Sequence, residues 1–177
     1  MATLDATFFE EVLTESGSSG RYVNLSKIEG EKRLRYMGRG ITGFTAWTTE
    51  NKPVRWEMKP EELPDNIKPD MNGSIAAKKF MAGVVWDYDD SEFKILELTQ
   101  ISVLKQLAKY QADEDYGDWA SYDIKITRDQ KGDKITYTLL AAPPKTVKPE
   151  IFKQFEKIDV NLDALYEGKD PWASPSA

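Results

Sequence analysis

The amino-acid sequence predicts a mainly β domain. Five or six strands form a barrel, with one helix between strands and short helices at the C-terminal end. Three observations predict it. From residue 22 onward apolar and polar residues alternate with period two, as in Arg33-Leu34-Arg35-Tyr36. The β-rich segments fall in pairs joined by turn residues, at Glu50-Asn51-Lys52-Pro53, Asp89-Asp90-Ser91 and Asp129–Asp133. One stretch among them, Ile101 to Tyr110, has a helical period.

Residues 1–20 read as a mobile N-terminal arm. It is a short amphipathic helix carrying Phe8, Phe9 and Val12, followed by the flexible linker Glu15-Ser-Gly-Ser-Ser-Gly20. Residues 21–144 form the β domain. Its first strand, through Leu34 and Tyr36, is broken by Gly38, Gly40 and Gly43, a bulge or tight turn. Phe44–Thr49 and Val54–Met58 pair as a hairpin. Lys59–Ser74 carries three prolines and no pattern, and a loop of that length in a compact domain is often functional. Ala76–Tyr88 is a long strand and Phe93–Leu98 its return. Thr99 offers an N-cap to a helix reaching about Gln111, with Ile101, Val103, Leu104, Leu107, Ala108 and Tyr110 on one face. Tyr122–Arg128 and Lys134–Ala141 form the last hairpin. This order fits an OB-fold barrel. Residues 145–167 are a helical extension. Pro149 stands at a helix start, Ile151, Phe152, Phe155 and Ile158 make a stripe, and Leu162–Tyr166 adds a short turn. Residues 168–177 are expected to be a disordered tail.

The composition removes much chemistry. The 177 residues include no Cys and no His, so thiolate nucleophiles, disulfides and the commonest general base and metal ligand are missing. The acidic N-terminus lacks the basic and apolar regions of a signal peptide, and no apolar run approaches ~18 residues. A cytoplasmic, non-membrane protein is expected. The net charge of -6 argues against nucleic acid as partner, but the charge is segregated. Glu31–Trp56 holds six Lys/Arg against two acids, a local +4, and Ser121–Lys148 holds six against three, +3. The acidic block Asp87–Asp118, nine acids against three lysines, lies between them.

In the first basic block Tyr36, Phe44, Trp47 and Trp56 are interleaved with the cations. Cations for phosphates and flat rings for bases compose a single-strand nucleic-acid groove. Alternation puts Arg33 and Arg35 on one strand face, opposite Leu34 and Tyr36, and sets Arg55 opposite Trp56. Arg33, Arg35 and Arg55 therefore face the ligand, with Arg39 and Lys52 in the same block. Trp47, ending a strand beside a polar turn, is the stacking candidate. Lys78 and Lys79 form a second wall, and Lys125, Arg128, Lys131 and Lys134 on the last hairpin a third. Phe80 and Tyr137 are the next stackers. Val84, Val85 and Trp86 read as core.

Asp87, Asp89, Asp90 and Glu92 could be taken for a two-metal nuclease site, but they sit where a hairpin needs a polar turn. With no glycine-rich phosphate loop, no nucleophile–base pairing and no metal-ligand spacing, the chain reads as a non-enzyme without cofactor or metal.

Several strings carry a more specific signal. Val85–Gln100 (VWDYDDSEFKILELTQ) and Gly117–Arg128 (GDWASYDIKITR) stand out, supported by Tyr22–Arg35, Gly43–Arg55, Asp133–Pro144 and Leu162–Leu165. Together they resemble the single-stranded DNA-binding proteins of tailed bacteriophages, over roughly residues 20–167. The resemblance implies an OB-fold protein that coats single-stranded DNA during phage replication and recombination in the cytoplasm of a bacterial host. It implies Arg33, Arg35, Trp47 and Arg55 on the DNA surface, and phage replication or recombination proteins as partners. A homodimer is left open. The chain departs from the pattern in lacking the Cys/His zinc cluster of the T-even type and a strongly acidic tail. The alternative reading is a non-catalytic OB-like protein-interaction or assembly module, suggested by the overall acidity and the apolar C-terminal helix.

Overall fold

The computed structural model describes residues 21–70 and 72–172. The expected N-terminal arm lies outside them. Six antiparallel strands form one sheet: β1 (Gly30–Trp47), β2 (Pro53–Trp56), β3 (Lys78–Asp87), β4 (Glu92–Leu98), β5 (Ile124–Lys131) and β6 (Lys134–Ala141). Helix α1 (Ile101–Ala112) joins β4 to β5, and α2 (Pro149–Lys157) and a 3-10 helix (Leu162–Glu167) follow β6. The mainly β class, six strands and the placement of the helices match expectation. Among the described residues no helix is long and apolar enough to cross a membrane.

β1 organises the sheet because three strands share it. Gly30–Leu34 pair with β5, Leu34–Thr45 with β3, and Phe44–Trp47 with β2. Phe44 and Thr45 pair with β2 and β3 at once, so β2 lies on the edge that β5 uses at the other end. The glycines that were expected to break the first strand instead bulge it. The register with β3 shifts between Tyr36 and Gly40, and Gly38, at φ 93°, takes a backbone conformation costly for other residues. At Gly83, opposite Gly40, a Cβ would stand 2.9 Å from the Tyr36 ring, so glycine there makes room for the tyrosine.

The expected barrel is not closed: the strand order is β4-β3-β1-β5-β6, and β4 and β6 do not pair. Both outer edges are occupied by other groups. Tyr22 bridges Ile95 in parallel, and the Val23 N–H donates to the Ile95 carbonyl at 2.9 Å. On β6 the Leu139 N–H donates to the Gln106 side chain of α1 at 2.6 Å. Blocking edge amides in this way withholds them from a further strand.

Apolar groups cover both faces of the sheet. On one, Leu34, Tyr36, Val85, Leu96, Ile124 and Ile126 meet Val103 and Leu107 of α1. On the other, Phe80, Ala82, Val84 and Trp86 meet Ile151 and Phe155 of α2 and Leu162 and Leu165 beyond it. Double coverage explains why β3 is buried almost continuously from Phe80 to Asp87. Helix ends differ in detail from expectation. α1 is capped by Gln100 rather than Thr99, and no side chain bonds its first turn. Ile101 is 59% exposed, outside the core face assigned to it. α2 starts at Pro149 as expected, but Phe152 of its stripe stays 47% exposed. Within the expected disordered tail Pro171 is buried and Trp172 half-buried, while residues 168–170 are exposed. The Pro171 carbonyl accepts from the Asn161 N–H at 2.8 Å, and the Arg21 guanidinium lies 5.3 Å from the centre of the Trp172 ring.

Candidate nucleic-acid interface

The residues expected to bind DNA separate into three groups. In the first, cations are held by acids, carbonyls or rings of the protein itself. Alternation does set Arg33 and Arg35 opposite Leu34 and Tyr36, yet Arg35 is buried and Arg33, its side chain 37% exposed, is turned to an internal acid. Arg35 is 4% exposed and donates to Asp123 Oδ1 at 3.2 Å, to the Ala120 carbonyl at 3.1 Å and to the Lys145 carbonyl at 2.6 Å. Arg33 reaches Asp123 Oδ2 at 2.7 Å. The Tyr88 hydroxyl donates to the same carboxylate at 2.8 Å, and Lys145 stands 3.6 Å away. Burial raises the Asp123 carboxyl, but the bonds from Tyr88, Arg33 and Arg35 outweigh it and hold the group below its ordinary value. Burial and the bond to Asp123 push the Tyr88 hydroxyl up to about 12. This network ties the loop before β5 and the segment after β6 to the start of β1. Arg55 is likewise taken by Glu97, at 3.0 and 2.7 Å. Arg39 donates to the Ile158 carbonyl at 3.3 Å and stacks 4.7 Å from the centre of the Phe155 ring.

The second group lies in the interior or along the last hairpin. Phe80 is 2% exposed and belongs to the core. Tyr137 is half-buried against the α1 side of the core. Lys125 pairs across from Arg33, and Arg128 across from Gly30, both half-buried. The hairpin then runs on to exposed Lys131 and Lys134, past the start of β1.

The third group converges at the far end of β1. Trp47, the last residue of the strand, is 52% exposed beside buried Ala46. It lines an open cleft of about 270 Å³ with Asn51, Lys68, Asp70, Lys78 and Thr99. Lys78 is placed there by its register opposite Thr45, with exposed Lys79 beside it opposite Phe44. Lys52, 76% exposed in the adjacent turn, stands 3.9 Å from Glu50. Among the described residues neither Lys68 nor Lys78 has a carboxylate oxygen within 4.0 Å.

Lys68, Asn51 and Asp70 were not singled out from the sequence, although the loop that holds two of them was. The structure explains how a patternless loop is held. Ile67, 4% exposed, is its buried anchor, worth roughly 1.5–3 kcal/mol of apolar burial. Around it the Lys68 N–H donates to the Trp47 carbonyl at 2.7 Å, and the Thr49 N–H to the Asn66 carbonyl at 2.8 Å. These bonds set Lys68 beside Trp47, and its Nζ donates to Asn51 Oδ1 at 3.2 Å. The signal in the sequence was an isoleucine, one of two large aliphatic residues with Leu63, within a polar, proline-rich loop.

The acidic turn has a structural use. Asp87, fully buried, accepts from Lys94 at 2.8 Å and Lys32 at 2.9 Å, and Lys94 also reaches Asp90. Among the described residues no group of three or more acidic side chains is arranged to hold a metal ion. No protein family, curated protein or solved structure matches the chain.

Proposed function

We propose that this protein binds single-stranded DNA, largely independently of sequence and without catalysis, and that the Trp47 cleft is where the strand is held. The observation that carries the reading is a half-exposed indole flanked by two lysines with no carboxylate oxygen within 4.0 Å among the described residues. An exposed ring offers a stacking face to any base, and Lys68 and Lys78 offer charge to the phosphates on either side. The resemblance of Val85–Gln100 and Gly117–Arg128 to strings of the phage single-stranded DNA-binding proteins points the same way and suggests a role in phage DNA replication and recombination.

The strand order supports an OB-type reading of the sheet. One long first strand is shared by a meander (β1, β3, β4) and a hairpin (β5, β6), with the helix between them. OB-folds are partly open barrels that bind strands with the loop after the first strand and the loop of the last hairpin. The Trp47 cleft belongs to the former, and Lys131 and Lys134 to the latter. Longer strands would run from the cleft along β1 to the hairpin.

The test is a titration of labelled oligo(dT) at several salt concentrations. Binding that weakens steeply with salt is expected. Absence of binding at low salt overturns the proposal, and salt-insensitive binding overturns the phosphate mechanism. One observation favours a second reading as an interaction or assembly module: Phe152 projects from α2 at 47% exposure. In that case Phe152→Ala abolishes function while Trp47→Ala leaves it intact.

A further inference from the structure

The Trp47 cleft contains a group that a phosphate site does not need. Asp70 lines it together with Trp47, Lys68 and Lys78. A carboxylate beside a phosphate track weakens binding by like-charge repulsion. Asp70 is nonetheless built in. Its Oδ1 accepts the backbone N–H groups of Asn72 and Ser74, both at 2.9 Å. Its own N–H donates to the Ser74 carbonyl at 2.8 Å, and its carbonyl accepts from Gly73 at 2.9 Å. Those bonds fix the carboxylate without using Oδ2. No lysine or arginine of the described residues lies within 4.0 Å of it. The cleft thus holds a positioned, acceptor-only group that is not neutralised by an ion pair, next to an exposed stacking ring.

We infer that Asp70 reads the Watson–Crick edge of the base stacked on Trp47 and gives this cleft a preference for guanine. The inference rests on the reading of the cleft as a single-strand site. Guanine is the one DNA base with two neighbouring donors on that edge, N1–H and N2–H₂, and the free Oδ2, with two lone pairs, can accept both. Cytosine and adenine each offer a single amino donor next to a ring-nitrogen acceptor. Thymine offers one N–H between two carbonyls, which a carboxylate repels. Lys68 is the neighbouring donor for guanine O6. The cavity, about 270 Å³, is slightly smaller than drug-sized pockets of ~300 Å³ and above, which limits the reading to one nucleotide. The rest of a bound strand stays sequence-independent.

The experiment measures fluorescence anisotropy of labelled oligo(dT) and of the same oligomer with one central dG, dC or dA, at fixed salt, with the full chain. The dG oligomer is expected to bind about tenfold tighter than all-dT, within the range of base discrimination by a good hydrogen-bonded pair. Asp70→Asn keeps a side-chain oxygen for the Asn72 and Ser74 N–H groups and replaces the other acceptor with a donor. It is expected to erase the dG preference and leave dT affinity equal or higher, with an unchanged melting curve. Equal, salt-dependent binding of all four oligomers by the wild-type protein overturns the preference and leaves the site reading standing. A dG preference that survives in Asp70→Asn removes Asp70 as its source. Failure to bind any oligomer overturns both.

Discussion

At the start of β1 two guanidiniums converge on one buried carboxylate, Asp123, whereas at its end two ammoniums flank an exposed indole with no ion-pairing carboxylate among the described residues. The residue types at the two ends are those of one basic, aromatic strip, and their environments are opposite. Arg35 is desolvated and its hydrogen bonds are spent on the protein; Lys78 is exposed. The difference shows that a local excess of positive charge measures capacity for anions, and that folding decides whose anions take it up. At Arg33 and Arg35 the anion is internal and the product is stability. At Lys68 and Lys78, on the proposed reading, it is left to a ligand.

Removing the internal anion tests the first half of this contrast and has the largest expected effect. Asp123→Ala leaves Arg35 buried without its carboxylate and Arg33 without its partner. Breaking a buried pair by removing one member costs about 3–5 kcal/mol. For a chain of this size that lowers the melting temperature by about 10 °C, read by circular dichroism. Oligo(dT) affinity at a temperature where the variant is folded is expected to stay at the wild-type value. An unchanged melting temperature would erase the distinction between the two ends.

Acid probes the same network without mutation. Burial raises both Asp123 and Asp87, but hydrogen bonds outweigh it, from Tyr88, Arg33 and Arg35 on the former and from Lys94 and Lys32 on the latter. Both carboxyls therefore titrate lower in the folded protein than in the unfolded chain. A depressed folded value means stability that is fully present above the ordinary aspartate value of about 3.9 and is lost as pH falls through the folded values. Urea midpoints are expected to hold from pH 7 to about pH 5 and to fall steeply below about pH 4. Asp123→Ala should flatten part of that fall, and a fall of unchanged depth would assign it to other groups.

At the other end the expected effect is on binding alone. Trp47→Ala removes the stacking face, worth ~1–3 kcal/mol per base, or roughly 5- to 150-fold in affinity for oligo(dT). The ring is 52% exposed, so the melting temperature should move by no more than about 2 °C. Arg55→Ala is the reciprocal control, since its guanidinium is held by Glu97. Loss of stability without loss of affinity is expected there.

Local pattern made most of the fold legible, because strands and turns are written in neighbouring residues. The period-two run from Gly30 onward, the turns at residues 50–53 and 89–91, Pro149 at a helix start and the Lys134–Ala141 strand survive in the structure, while the last hairpin turns in only two residues, Gly132 and Asp133, where Asp129–Asp133 was expected. Closure of the barrel did not, since it depends on what occupies the two sheet edges. Those occupants, Tyr22–Val23 and Gln106, are unremarkable in sequence. The candidate site divides along the same line. Trp47 and Lys78 were legible as candidates because each stands at a strand end, whereas the register that sets Lys78 near Trp47 rather than beside Arg33 and Arg35 was not. The fate of Arg33 and Arg35 was not, because their shared partner lies 90 and 88 positions away. Lys68 was hidden for a related reason: it is aligned by a two-bond bridge between loop and strand end, which leaves no periodic trace.

The smallest expected effect is also the one that defines how far the site extends. If Lys68 and Lys78 each neutralise one phosphate, each substitution to Ala should reduce the slope of log K against log salt by about 0.7, the single-strand value per phosphate. The reduction should appear for an oligomer of about 4 nucleotides as well as for one of about 16, the range of site sizes for such folds. Lys131 lies beyond the other end of β1, three residues past the partner of Gly30 and so some 18 residues along the sheet from the Lys78 position. At about 3.3 Å per residue that is roughly 60 Å of strand, beyond the reach of the short oligomer. Lys131→Ala is therefore expected to leave the short-oligomer slope unchanged and to lower the long-oligomer slope. Should it lower neither, binding is confined to the Trp47 cleft and the hairpin belongs with the Arg33–Arg35 end. Should it lower both, the bend in β1 brings the two ends onto one short stretch of DNA, and the contrast between them would be one of partners rather than of place.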